Sequence, residues 1–279
     1  MKKIINISNI NQISSKKIIK NLSNTNLTIT FDENSIQYIN FFISQHPNQY
    51  QIYMEPNYKF DIDIVEYDFE LYLFFIDCVD KAFENISKKN FSYQHLFGNI
   101  FNWNISICQN IMFDFPFTLS DVIYIPLNYI IKCSKSNDKI AFITTLIHEK
   151  LHIGQRTNEL VWEKFILEQD NKWIKISNTN NIFQLIENNI YQNPNNLINT
   201  TNEEFISNPD TFYPNFKYVY LDNGKLYYGH YVYNKVTKKI NKNFFQIDID
   251  GGKIFSINKE FDQEHPYETY AYKISKEFV

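Results

Sequence analysis

The sequence predicts an α+β fold, because its 279 residues contain both segments patterned as β-strands and segments patterned as α-helices. Short branched runs such as Leu27–Phe31 alternate with a period of two, as half-buried strands do. A longer apolar run between residues 61 and 86 keeps charged side chains on one face, which is typical of a helix. The sequence contains no repeat of roughly 20–50 residues, so solenoids and propellers are excluded.

Composition and charge exclude several classes of protein. The chain has 27 Lys and Arg against 31 Asp and Glu, a net charge of −4, so it lacks the surplus of cations that nucleic-acid binding requires. Its hydrophobic share of 44% is enough for a large core, which excludes wholesale disorder. Abundant Asn, Ile, Lys, Tyr and Phe with few Gly and Pro indicate an AT-rich genome, as in large DNA viruses and some parasites.

The sequence carries no pattern of export or membrane insertion. Asn and Ser interrupt every apolar run near the N-terminus, which a signal peptide does not tolerate. The most apolar segment, Leu71–Phe83, contains two aspartates and is too short to cross a bilayer. The cysteines form no CxxC pair and indicate a reducing compartment; they are Cys78, Cys108 and Cys133. We therefore expect an intracellular protein that binds no membrane.

Two strands separated by a turn are predicted between residues 104 and 126. Ile105–Cys108 is short and branched, and Asp121–Pro126 is a β-rich run that ends at a proline. A polar cluster follows, in which Ser136 or Asn137 is expected to cap a helix. The predicted helix has one apolar stripe at helical spacing, formed by residues 140, 143, 147 and 151, and Gly154 marks its expected end.

Beside that stripe lies the motif His-Glu-Lys-Leu-His, which spans residues 148 to 152 and has the form HExxH. On a helix, His148 and His152 lie one turn apart on the same face, so their rings can bind one metal ion. Glu149 points aside from that face, as a base must if it is to deprotonate a water without occupying the metal. Chance produces such a motif in roughly one chain of this composition in a hundred.

With this motif the sequence resembles the zincin metallopeptidases, over about residues 105–156 and again near the C-terminus. In that family a strand before the HExxH helix forms the upper rim of the substrate cleft, and Asp121–Pro126 has the right order for it. The resemblance implies Zn²⁺ as cofactor and a peptide or protein as substrate. It also implies an N-terminal lobe of unknown role (1–104) and a zincin-like metallopeptidase domain (105–279) with a small mixed sheet, an active-site helix and a C-terminal ligand helix.

A catalytic zinc generally has three protein ligands and one water, so the two histidines need a third partner. The metzincin arrangement is excluded, because Gln155 and Asn158 stand where it has Gly and His. The competing candidates are Glu163, Glu168 and the C-terminal run from residue 262 to residue 272.

Within the C-terminal run we favour Glu268. Pro266 suits the first turn of a helix, from which Glu268 would project. The phrase HPYETYAY resembles the HPxE ligand helix of gluzincin-like proteins. His265 remains open as an alternative ligand, as do Glu163 and Glu168.

The resemblance implies a division of roles among these residues. Zn²⁺ would be held by His148, His152 and Glu268, and Glu149 would act as general base in peptide hydrolysis. His265 is expected to polarise the substrate carbonyl. The alternative is a catalytically inactive zincin scaffold that binds a peptide or protein without turnover.

Overall fold

The structure is a computed structural model. It describes residues 17–22, 25–31, 69–88, 91–108, 115–119, 121–169, 172–192, 202–206, 210, 216–234, 236–237, 239–257, 261 and 265–279. These residues form seven α-helices and two β-sheets, so the predicted α+β class is confirmed. None of the helices in these ranges is long and apolar enough to cross a membrane.

The chain divides into two compact units. The first comprises Met1–Glu159 with Ala271–Val279, and the second comprises Leu160–Tyr270. The boundary predicted between residues 104 and 105 falls inside a strand of the first unit. The roles assigned to residues 1–104 and 105–279 stay predictions.

A five-stranded mixed sheet belongs to the first unit, with strand order β1-β2-β3-β5-β4. Its strands are β1 (Lys17–Leu22), β2 (Thr25–Phe31), β3 (Asn102–Cys108), β4 (Phe117–Leu119) and β5 (Val122–Pro126). Strands β2, β3 and β5 run parallel, while β1 and β4 pair antiparallel to their neighbours. The predicted strands are confirmed, but β5 lies between β3 and β4. The expectation that Asp121–Pro126 forms an open rim is therefore wrong, and among the described strands β4 occupies that edge.

Helices pack beside this sheet in the first unit. They are α1 (Phe69–Lys88), α2 (Phe91–Gln94), α3 (Leu127–Lys135) and α4 (Lys139–Thr157), and a 3₁₀ turn spans His95–Phe97. Helix α1 packs on α4 through Phe74 and Phe75, whose ring centroids lie 5.6 and 6.0 Å from that of Phe142. The helix predicted between residues 61 and 86 is confirmed from Phe69 onward, and residues 61–68 lie outside the described residues.

Helix α4 begins later than predicted. Its N-cap is Asp138, whose side chain accepts a hydrogen bond of 3.0 Å from the backbone N–H of Ala141. The expected caps have other roles: Ser136 caps the end of α3, and Asn137 has a φ of 52°. Asn tolerates this left-handed conformation, and it turns the chain between the two helices.

Gly154 does not end α4, which continues to Thr157. A Cβ at Gly154 would lie 1.9 Å from the backbone oxygen of Leu96, so only glycine allows this close approach of the 3₁₀ turn to the helix. Of the predicted stripe, Ile143, Ile147 and Leu151 are buried, whereas Ile140 is exposed.

The second unit is built on an antiparallel sheet with strand order β11-β10-β9-β8-β6, and β7 also pairs with β9. Its strands are β6 (Trp173–Ser177), β7 (Glu203–Ile206), β8 (Phe216–Asp222), β9 (Lys225–Asn234), β10 (Lys239–Asp248) and β11 (Lys253–Ile257). Helix α6 (Asn181–Ile186) continues as a π-helical turn, Glu187–Gln192, and its buried side chains share a core with one face of the sheet. Helix α5 (Glu159–Gln169) precedes the sheet, and the C-terminal helix α7 (Pro266–Glu277) follows it.

Candidate metal centre

Helix α4 brings the two motif histidines together as predicted. His148 and His152 are both buried, and their ring centroids lie 4.6 Å apart. The Nε2 atoms of the two rings are separated by 2.9 Å. Residues four apart on a helix lie one above the other on one face, so the same atom of each ring points to a common position.

Gln155 fixes the orientation of the second histidine. Its side-chain Oε1 lies 2.6 Å from Nδ1 of His152, and both groups are buried. Because an amide oxygen only accepts hydrogen bonds, Nδ1 carries the proton and Nε2 keeps its lone pair. This is the arrangement that a metal-binding histidine requires, since the hydrogen bond at one nitrogen selects the nitrogen that binds the metal.

Glu268 lies in the first turn of helix α7. In the first unit, the Tyr272 ring lies 4.4 Å from the His148 ring, and Phe278 packs edge-on against Phe97 at 5.3 Å. Glu268 is one turn before Tyr272 on the same helix, so the two side chains share a face. A carboxylate oxygen of Glu268 and a ring nitrogen of each histidine all lie within 4.8 Å of one another.

The chemistry of these donors fits a metal ion. Two nitrogens bound to one tetrahedral zinc at about 2.0–2.1 Å are about 3.3 Å apart, so the His148 and His152 rings need to separate by only about 0.4 Å. All three side chains are buried, which keeps competing water away. The group formed by His148, His152 and Glu268 could therefore hold a metal ion, and imidazole with carboxylate suits zinc among several divalent metals.

A second group of potential ligand atoms satisfies the same distance limit. It consists of Glu149, His152 and Asp210, and all three residues are buried. Asp210 did not figure in the sequence prediction, because it lies in a polar stretch without a helical or strand pattern. Both groups share His152.

Glu149 is held from the side of strand β4. Its Oε2 accepts a hydrogen bond of 2.7 Å from the hydroxyl of Thr118, which is itself fully buried. The backbone oxygen of Thr118 in turn accepts a hydrogen bond of 2.6 Å from Nη2 of Arg156. Strand β4 therefore fixes Glu149 through Thr118, and Arg156, two turns further along α4, fixes β4 in turn.

Lys150 occupies the far side of the helix from the histidines. Its Nζ donates to the backbone oxygen of Asn102 and lies 5.4 Å from the centroid of the Trp103 ring. Burial lowers the pKa of Lys150 to about 8, and Asp121 partly offsets this effect. The first variable position of the motif is thus used to attach the helix to β3.

The competing ligand candidates behave differently from Glu268. Glu163 and Glu168 both lie on helix α5. Glu163 forms an ion pair of 3.1 Å with Lys175, and Glu168 lies 3.8 Å from Lys164. Neither glutamate belongs to a potential metal-binding group among the described residues.

His265 lies directly before α7 and is buried. Its Nδ1 accepts a hydrogen bond of 3.2 Å from the backbone N–H of Tyr267, and its ring meets that of Tyr218 edge-on at 5.0 Å. A neutral ring that accepts at Nδ1 carries its proton at Nε2. That proton is the kind of donor that polarises a carbonyl, and the catalytic role of His265 stays a prediction.

Sequence reasoning missed the side chains that orient the motif. Thr118 is in a three-residue strand, which is too short to show any periodicity. Gln155 could have been noticed, because it is three residues after His152 and therefore on the same helical face. Tyr272 is four residues after Glu268 and therefore also lies on the same helical face as that residue.

Comparison with known proteins adds no assignment: the chain matches no protein-family model, no curated protein and no solved structure.

Proposed function

We propose that this protein is a zinc-dependent metallopeptidase. The observation that supports the proposal is the group of His148, His152 and Glu268, whose ligand atoms lie within 4.8 Å of one another, beside the buried Glu149. Two imidazoles and one carboxylate form the ligand set of catalytic zinc sites that keep a fourth position for water. When bound, zinc supplies Lewis acidity, which lowers the pKa of water and polarises a carbonyl oxygen.

We assign the role of general base to Glu149. It directly follows His148, so the helix turns its side chain by about 100° from that ligand and keeps it near the centre. Thr118 engages Oε2, and we assign proton transfer to the other oxygen, Oε1. Oε1 would accept a proton from the attacking water and return it to the amine that leaves as the peptide bond breaks.

The other residues of the site bind and orient. Gln155 keeps the lone pair of His152 directed toward the ligand group. Tyr272 covers one side of the His148 ring while its own side chain remains 45% exposed, so it is available to contact a substrate. Both histidines are buried.

The proposal is tested with the 279-residue chain and three variants of it. Zinc content is measured by elemental analysis, and turnover is measured on a fluorogenic denatured protein with and without a chelator. We expect one zinc per chain in Glu149→Gln with turnover reduced by about 10²–10⁴-fold, the usual contribution of a general base. Glu268→Gln should lose zinc, whereas Glu163→Gln, the matched control on α5, should keep both zinc and turnover.

The outcomes separate three interpretations. A Glu149→Gln variant as active as the wild type would refute the general-base assignment. A wild-type chain that binds zinc without turnover would be the inactive scaffold. A chain that binds no zinc and is indifferent to the chelator would refute the metal centre itself.

A further inference from the structure

Strand β4 contributes one side chain that reaches the acid of the motif. Thr118 is 0% exposed, and its Oγ1 lies 2.7 Å from Oε2 and 3.2 Å from the backbone oxygen of Glu149. A hydroxyl has one proton and can donate to only one of these oxygens at a time. The shorter distance and the charge of the carboxylate favour Oε2, since hydrogen bonds to ionised acceptors are shorter and stronger.

Thr118 is itself held in place from two directions. Its backbone oxygen accepts a hydrogen bond of 2.6 Å from Arg156, which is seven residues after Glu149 on the same helix. Its Cα pairs with that of Ile123 in the antiparallel ladder between β4 and β5. Two hydrogen bonds therefore join α4 to β4. One runs from the Thr118 hydroxyl to the Glu149 carboxylate, and the other from Arg156 to the backbone oxygen of Thr118.

We propose that Thr118 is a positioning residue for Glu149: its hydroxyl holds Oε2 so that the opposite oxygen faces the reacting water. The inference rests on the proposed hydrolase function, because it assigns to Thr118 an effect on the step that Glu149 carries out. A carboxylate on a flexible side chain has several rotamers, and a donor that selects one of them raises the fraction of molecules ready to react.

Two substitutions at position 118 separate the hydroxyl from the packing. Thr118→Val keeps the branched shape and loses the hydroxyl, whereas Thr118→Ser keeps the hydroxyl and loses a buried methyl group. Positioning predicts that kcat falls by about 10- to 100-fold in Thr118→Val, as for other outer residues of metal sites, and by less than about threefold in Thr118→Ser. KM and zinc content should change by less than about twofold in both variants, because neither substrate nor metal contacts this side chain in the proposal. A role in packing alone predicts the opposite order, with the serine variant more impaired.

The matched control removes a hydroxyl elsewhere on α4. Thr157 donates to the backbone oxygen of Ile153 at 2.9 Å and takes no part in the site. Thr157→Val should therefore keep the wild-type kcat.

A measurement that does not use activity tests the contact itself. Urea unfolding of the full chain is compared for Thr118→Val, Glu149→Ala and the double variant. Residues in direct contact are not additive, so Thr118→Val should change the unfolding equilibrium constant about fivefold less in the Glu149→Ala background. Additive effects would overturn the contact on which the inference is built.

The outcomes distinguish this inference from the proposed function. If Glu149→Gln is inactive and Thr118→Val keeps the wild-type kcat, the positioning role is wrong and the hydrolase stands. If Glu149→Gln is fully active, the general-base assignment and the positioning role are both wrong. If Thr118→Val does not fold, the kcat of Thr118→Ser is compared with that of the wild type instead. A fall in kcat of more than about tenfold with unchanged zinc content would contradict positioning by the hydroxyl.

Discussion

Replacing Gly154 with alanine should destabilise the protein, although the same change in a helix interior ordinarily stabilises by about 1 kcal/mol. The added Cβ would lie 1.9 Å from the Leu96 oxygen and 2.9 Å from both the Leu96 carbonyl carbon and the Phe97 Cα. All three atoms belong to the backbone, so no rotamer change relieves the clash. The helix and the 3₁₀ turn would have to separate by about 1 Å, at a cost near the upper end of overpacking penalties, about 3 kcal/mol.

The displacement should also reach the candidate metal centre, because Gly154 lies two residues after His152 and Phe97 packs against Phe278 at the end of α7. Urea unfolding measures the loss of stability, and zinc competition measures the loss of affinity. Gly251→Ala is the control: its Cβ would meet only the carboxylate of Asp248, a side chain that can rotate, so less than about 1 kcal/mol is expected. If Gly154→Ala unfolds at the same urea concentration as the wild type, the close approach of helix and turn is wrong.

Two further predictions concern a ligand partner and a buried imidazole. Gln155→Leu removes the acceptor for Nδ1 of His152 and should weaken zinc binding by about 10- to 100-fold in competition with a chromophoric chelator, and an unchanged affinity would contradict its orienting role. Burial, assisted by Lys217, lowers the pKa of His230 from 6.5 to about 3. The unfolded chain therefore takes up this proton first as the pH falls below 6.5, and His230 alone should remove about 2 kcal/mol of the unfolding free energy at pH 5. His230→Gln should lack this part of the acid loss when urea unfolding is compared at pH 7 and pH 5, and an equal loss in both proteins would refute it.

The sequence was informative wherever a site depends on neighbours along one helix. His148 and His152 meet because residues four apart share a face, and this holds whatever surrounds the helix. Pro266 marks the first turn of α7 for a similar reason, since its missing N–H costs nothing there. The same local reasoning places Glu268 in the first turn of that helix.

Contacts between elements distant in the chain were not predictable in this way. Thr118 has no sequence signal, because it is 31 residues from Glu149 and lies in a strand of only three residues. Glycine often ends helices, so the sequence predicts a helix end at Gly154, yet its role is to allow the close approach of the Leu96 backbone. The N-cap of α4 is Asp138 and not one of the two predicted residues, because Ser136, Asn137 and Asp138 are all polar and can all cap a helix. The left-handed conformation of Asn137 leaves the N-cap position to Asp138.

The part of helix α4 from residue 146 to residue 155 is buried on every side, and this explains why its polar residues are so specifically paired. Its residues from 146 to 155 are all buried, although successive side chains point about 100° apart. Glu149 therefore contacts β4, and Lys150 contacts β3. Gly154 packs against the 3₁₀ turn. His148 and His152 belong to the potential metal-binding group. Since a buried polar group without a partner is costly, each of these contacts restricts the rotation of the helix about its axis. A helix that cannot rotate holds the two Nε2 atoms in one direction, which is the preorganisation that a catalytic metal site requires.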